Sequence, residues 1–256
     1  MPAPNIEIGE YLYCIIRSSA PLTFQSRSIG GQDAQVHALV YKDLAAVVSS
    51  SPIVEYDSTR RNMLAHTTVL EEVMNTHTIL PVRFGIVAPD AEAVVEQMLK
   101  RRYDELEQLM HKMDGCVELG LKAFWYEEVV YREIVEASPA IRQLRDSLVG
   151  KSPEETYYQR IKLGELVESA MKRKREEDAH YILEKIEPLV LETRNNMVIT
   201  ERMVLNAAFL VRKEHETEVD QVVQELDQEM GKRMMFKYVG SAPPYNFVNI
   251  VVRWDS

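Results

Sequence analysis

The chain has 256 residues, 46% hydrophobic and 27% charged, with 40 acidic side chains against 30 basic ones and a formal net charge of −10. This length suits one large or two ordinary globular domains, and the acidity repels phosphate backbones, so no nucleic-acid partner is expected. No stretch approaches the ~20 apolar residues that cross a bilayer, so no membrane partner is expected either. Cys14 and Cys116 form no disulfide framework, and the Met1-Pro2-Ala3-Pro4-Asn5 start has neither a basic nor an apolar run, which points to the cytoplasm.

Tyr11-Leu12-Tyr13-Cys14-Ile15-Ile16-Arg17 reads as a buried strand, rich in aromatic and β-branched residues. A loop with Gly30-Gly31 follows; these glycines lack dinucleotide-binding spacing and permit a turn. A hairpin is expected from 35–41 and 44–49 around Lys42-Asp43. Residues 58–75 fit a helix capped by Asp57 or Ser58, with Met63, Val69, Leu70, Val73 and Met74 at near-helical spacing. The apolar run 79–87 contains Pro81, which has no N–H, so it is an edge strand or an irregular crossing. A second helix starts after Pro89-Asp90 and runs to about Met113, and Asp114-Gly115 ends it.

The second half opens on a strand, 116–126, that alternates with period two and is covered mainly on one face. Ser138-Pro139 opens a short helix that Gly150 closes. Ser152-Pro153-Glu154-Glu155 then carries a capping-box signal for a long helix to about Glu187, where Pro188 bends or ends it. The apolar stripe of that helix stops at the charged run 172–180, so its middle is expected to project or bend. A strand at 202–212, an amphipathic helix at 216–230, a strand at 234–239 and a last strand at 247–252 complete the chain. These elements predict an α+β protein of two domains, about 1–114 and 115–256. The second is ferredoxin-like, with long helices inserted at about 139–196.

Catalytic and cofactor chemistry is hard to find. The six histidines form no HExxH pattern and the two cysteines no Cys-x-x-Cys, so no metal site is expected. Gly150-Lys151-Ser152 resembles the tail of a phosphate loop. The position of its first glycine is Arg145, though, and it follows a helix rather than a strand. No G-x-S-x-G elbow occurs. The chain is read as a non-enzyme with no cofactor; the basic run 172–175 is followed at once by Glu176, Glu177 and Asp178, which cancel its field.

Two segments stand out. Leu80-Pro81-Val82-Arg83-Phe84-Gly85 places an arginine inside an apolar run; it either locks the crossing against an acid such as Glu55 or Glu71, or faces a partner. Gly240-Ser241-Ala242-Pro243-Pro244-Tyr245-Asn246-Phe247-Val248 is a rigid turn. It either returns the last strand to the sheet or presents Tyr245 and Phe247 as an aromatic contact surface.

With Tyr11-Leu12-Tyr13, Leu44-Ala45-Ala46-Val47-Val48-Ser49, His66 with Val69-Leu70-Glu71, Gly115 with 117–122, and 204–211, these segments resemble, in order, the gas vesicle protein F/L family over about residues 11–249. One departure is Ser241 where the family often has proline after the glycine. The resemblance implies a non-catalytic accessory or minor structural protein, cytoplasmic and associated with gas vesicles. Its partners would be the shell protein and other gas vesicle accessory proteins. Candidate interaction residues are Pro81, Arg83, Phe84, Gly85, Gly240, Pro243, Pro244, Tyr245 and Phe247. The alternative from the sequence is a small-ligand regulatory module on a ferredoxin-like sheet.

Overall fold

A computed structural model of the protein describes residues 7–29 and 34–254. The expected Gly30-Gly31 turn lies outside the described residues. The chain divides into two compact units. One runs up to Glu118 and takes in the C-terminal segment from Ser241; the other is Leu119–Gly240. The sequence reading kept 241–256 with the second half and placed the seam at Gly115. The boundaries instead fall inside two strands, because the tail buries Phe247, Val248 and Ile250 in the first unit.

The first unit is built on β1 (Ile8–Arg17), β2 (Thr23–Phe24), β3 (Val36–Tyr41), β4 (Leu44–Pro52), β5 (Ile79–Pro81) and β6 (Val87–Ala88). Their order is β2-β3-β4-β1-β5, with β6 also paired to β1. The β3–β4 hairpin turns at Lys42-Asp43, as its sequence predicts. Between Leu12 and Cys14 the β1–β4 register slips, leaving Tyr13 as an extra residue. β5 is an edge strand, which suits a proline without an N–H.

Helix α1 (Arg60–Met74) is capped by Thr59, which accepts from the Asn62 N–H, one residue beyond the expected caps. Its His66, Val69, Leu70 and Val73 are buried. The last three share a core with Tyr11, Tyr13, Ala45 and Val47. Leu12, Ile15, Ala46 and Val48 are equally inaccessible, so both faces of the sheet are covered. That is why β1 and β4 read as unbroken apolar runs. The expected second helix is interrupted. Asp90 caps a short α2 (Ala91–Ala93) that continues as a π-helical segment, Val94–Lys100, and α3 (Tyr103–Met113) restarts after a turn.

The second unit carries β7 (Cys116–Trp125), β8 (Glu192–Asn195), β9 (Met203–Arg212) and β10 (Met234–Ala242) in the order β10-β7-β9-β8. With α7 (Glu216–Met230) between β9 and β10, this is the ferredoxin-like arrangement. The first crossover is expanded to α4 (Glu127–Ala137), α5 (Pro139–Ser147) and α6 (Tyr157–Ile186). Ser138 caps α5 and Gly150 exits at φ 77°, as expected. As expected, one face of β7 (Val117, Leu119, Leu121, Ala123, Trp125) is covered throughout; on the other, Glu118 and Phe124 are buried while Lys122 is exposed.

Four expectations need correction. α4 was not anticipated, although Val130 and Ile134 carry its i, i+4 signal. The long helices end at Ile186 rather than near 196: Pro188 sits in a short 3-10 turn, and β8 follows. Residues 247–252 form no strand, because the N–H groups of Phe247 and Val248 turn back to the Pro244 carbonyl. Finally, the charged middle of α6 neither projects nor bends away; Asp178 within it is 6% exposed. Lys174, Arg175 and Asp178 have partners on neighbouring elements, while Lys172, Arg173, Glu176 and Glu177 stay on the exposed side.

Candidate functional site

In the first unit, the motif residues converge on one buried imidazole. His66 is 1% exposed. Its Nδ1 lies 3.0 Å from the Tyr11 hydroxyl, and its Nε2 lies 2.8 Å from the Tyr245 hydroxyl. The Gly85 N–H donates to Tyr11 Oη at 2.9 Å, and the Tyr245 hydroxyl points to the Val82 carbonyl at 3.5 Å. One proton assignment satisfies every group: Tyr11 donates to Nδ1, and Nε2–H donates to Tyr245. Gly85 reaches its position at φ 88°, a conformation that a β-carbon would strain. Phe84 packs edge-on against Tyr11 and His66.

Burial drives the His66 pKa down from 6.5 to about 4, with the Val82 carbonyl opposing. Burial likewise raises the Tyr11 and Tyr245 hydroxyls above the ordinary tyrosine value. The fold therefore holds neutral imidazole, while the unfolded chain takes up a proton below pH 6.5. The stabilisation is complete above about 6.5 and is lost as pH falls to about 4, amounting to about 3 kcal/mol. Urea unfolding of wild type and His66→Gln at pH 7 and pH 4 is expected to show a smaller acid loss in the variant, by about this amount. Equal losses would contradict the neutral-histidine assignment.

The remaining motif residues serve this clasp. Pro81 is buried and pairs with Cys14. Arg83 is exposed, and it donates to the Asn249 side chain at 3.1 Å rather than to Glu55 or Glu71. Pro244 and Phe247 are buried and Pro243 half-buried. Asn246 donates its backbone and side-chain N–H groups to the buried Glu118 carboxylate, at 2.9 and 2.6 Å. Tyr245 leaves 40% of its surface open, but its hydroxyl end is tied inward. The turn therefore holds the tail to the first unit, and Phe247 is no surface residue. Gly240 closes the second unit, exposed, near the Glu216 carboxylate.

In the second unit, Arg233 makes paired hydrogen bonds to both Glu133 and Asp178, at 2.9–3.0 Å. Asp178 also accepts from the Trp125 indole N–H at 2.8 Å, and Lys174 lies 3.4 Å from Glu133. Burial works against the Arg233 charge, but the two carboxylates outweigh it and raise its pKa. This network joins α4, α6 and β7 to the residue preceding β10, and it has the fully paired geometry of a structural site.

Beside it, α4, α5 and α6 wall a groove of about 1080 Å³ lined by Tyr131, Leu148, Val149, Leu163, Val167 and Met171, with Arg145, Arg160, Lys172 and Arg175 among its charged residues. The apolar half of α6 is the half left uncovered. Tyr158 is 82% exposed and Val149 78%, and Tyr157 and Ile161 are exposed as well. Gly164 lies on the groove wall, and a β-carbon there would meet nothing within 4 Å. The sequence reading took Leu163, Val167 and Met171 as part of the apolar stripe of this helix and passed over the rest. The available signals were a Tyr-Tyr pair on the first turn and a mid-helix glycine, which costs about 1 kcal/mol relative to alanine. Among the described residues, no group of three or more His, Cys, Asp or Glu is placed to hold a metal ion, and no helix is long and apolar enough to cross a membrane.

A family model described as "Gas vesicle synthesis protein GvpL/GvpF" matches residues 9–249. The chain is 31% identical over 249 residues to gas vesicle protein F of Dolichospermum flosaquae, covering 96% of this chain and 99% of that protein. It is 32% identical over 244 residues to gas vesicle protein F of a Streptomyces strain, covering 94% of this chain and 100% of that one. The crystal structure of GvpF from Anabaena sp. PCC7120 superposes with a TM-score of 0.84 at 29% identity, over 95% of this chain and 99% of that chain. That of GvpF from Microcystis aeruginosa gives 0.78 at 29% identity, over 94% and 99%. The chain belongs to the gas vesicle GvpL/GvpF family.

Proposed function

We propose that the chain is an accessory or minor structural protein of gas vesicles, acting in nucleation and assembly of the shell through protein–protein contacts. The observation that carries this reading is the family match, which spans nearly the whole chain. Its partners are the gas vesicle shell protein and other gas vesicle accessory proteins, and in the cell it is vesicle-associated. The role is one of binding rather than catalysis.

The groove of the second unit supports the reading. Large apolar side chains left open beside a polar rim are a feature of interaction sites. The bare wall at Gly164 leaves room for a partner's backbone to approach closely. The ferredoxin-like sheet alone does not favour a small-ligand role, because many functions share that fold.

The test is co-purification of the tagged chain with shell protein from vesicle-forming cells. A Tyr131→Asp, Val149→Asp double variant is expected to recover shell protein about tenfold less, with an unchanged melting temperature, since both side chains line the groove and are exposed. Undiminished recovery would remove the groove from the account.

A further inference from the structure

β10 ends the sheet of the second unit, and no strand among the described residues pairs with its outer side. Its stretch within the second unit, residues 234–240, is about 20 Å long, with Lys237 as its only charged residue. Such an edge is a template for a further strand unless something blunts it. Alongside it runs a groove of about 600 Å³ between β10 and α7. Phe236, Tyr238 and Gly240 line one wall, and Glu216, Asp220 and Asp227 line the other. The three acids form a stripe along α7 about 16 Å long. No basic residue lines this groove, and α7 as a whole carries six acidic residues and no basic one. The Tyr238 hydroxyl donates to Asp220 at 2.6 Å, fixing helix and strand side by side.

The charge decides the occupant. Pairing two copies through β10 would bring two acidic α7 helices together, and like charges oppose that contact. A basic strand meets the opposite field. We propose that the β10 edge takes an extended segment of another protein with lysine or arginine at alternate positions. Its backbone extends the sheet, and its basic side chains reach Glu216, Asp220 and Asp227. The inference deepens the assembly reading, on which the partner's identity as a gas vesicle component rests. The edge itself is tested without any vesicle component, so the two can fail separately.

The probes are three fluorescein-labelled octapeptides, titrated against the full chain by fluorescence anisotropy: alternating Lys-Val, alternating Glu-Val, and Lys-Val with a central proline. The Lys-Val peptide is expected to bind at least about tenfold tighter than either of the others, and to slow amide exchange within 234–240. Asp227→Lys is expected to weaken it about tenfold. Glu218→Lys, the same charge change at an α7 residue outside the groove lining, is expected to have a much smaller effect. The proposal is overturned if the proline peptide binds as well as the uninterrupted one, if the two lysine variants behave alike, or if β10 is protected by self-association without peptide.

Discussion

Asp178→Ala is expected to destabilise the second unit by about 3–5 kcal/mol. The residue is almost fully buried, and one carboxylate serves three donors: the Trp125 indole N–H, the Arg233 guanidinium and the Lys174 ammonium. Removing it leaves the indole donor without its acceptor and sets two cations against Glu133 alone. Asp178→Asn keeps an acceptor for the indole while losing the charge, so an intermediate loss is expected. Urea unfolding followed by tryptophan fluorescence measures both. A loss below about 1 kcal/mol for the alanine variant would mean that the network carries little of the unit's stability.

Phe247→Ala is expected to destabilise the first unit by a similar amount, about 3–5 kcal/mol, because a buried ring is replaced by a cavity. Tyr245→Phe, two residues away, keeps the ring and loses the hydroxyl that accepts from His66; about 1 kcal/mol is expected. The contrast separates a clasp from a contact surface. If Phe247→Ala left the unfolding midpoint unchanged, the burial of the tail would be contradicted.

These residues also show what the sequence could and could not reveal. Period and cap signals located β1, β4, α5, α7 and β9, since each rests on its own local pattern. The ferredoxin-like order of the second unit followed from the succession of elements. The resemblance named the right family because its motifs recur along the whole chain. Side-chain destinations were less legible. Arg83 resembled a buried cation in an apolar run, yet the crossing at 79–87 turns it outward to Asn249. Phe247 looked presentable after a proline pair, yet the turn closes on Pro244 and drives the ring inward. The charged run of α6 looked solvated because its partners Glu133 and Arg233 are distant in sequence. Periodicity within one helix carries no information about charges delivered by other elements. The groove was missed for the same reason: its walls come from three helices and a loop.

The most direct test of the account is complementation. Vesicle-forming cells deleted for this chain are scored for floating vesicles, with and without the gene returned. The account predicts that the deleted cells lose their buoyant vesicles and that the wild-type chain restores them. Vesicles formed in normal number without the chain would contradict it.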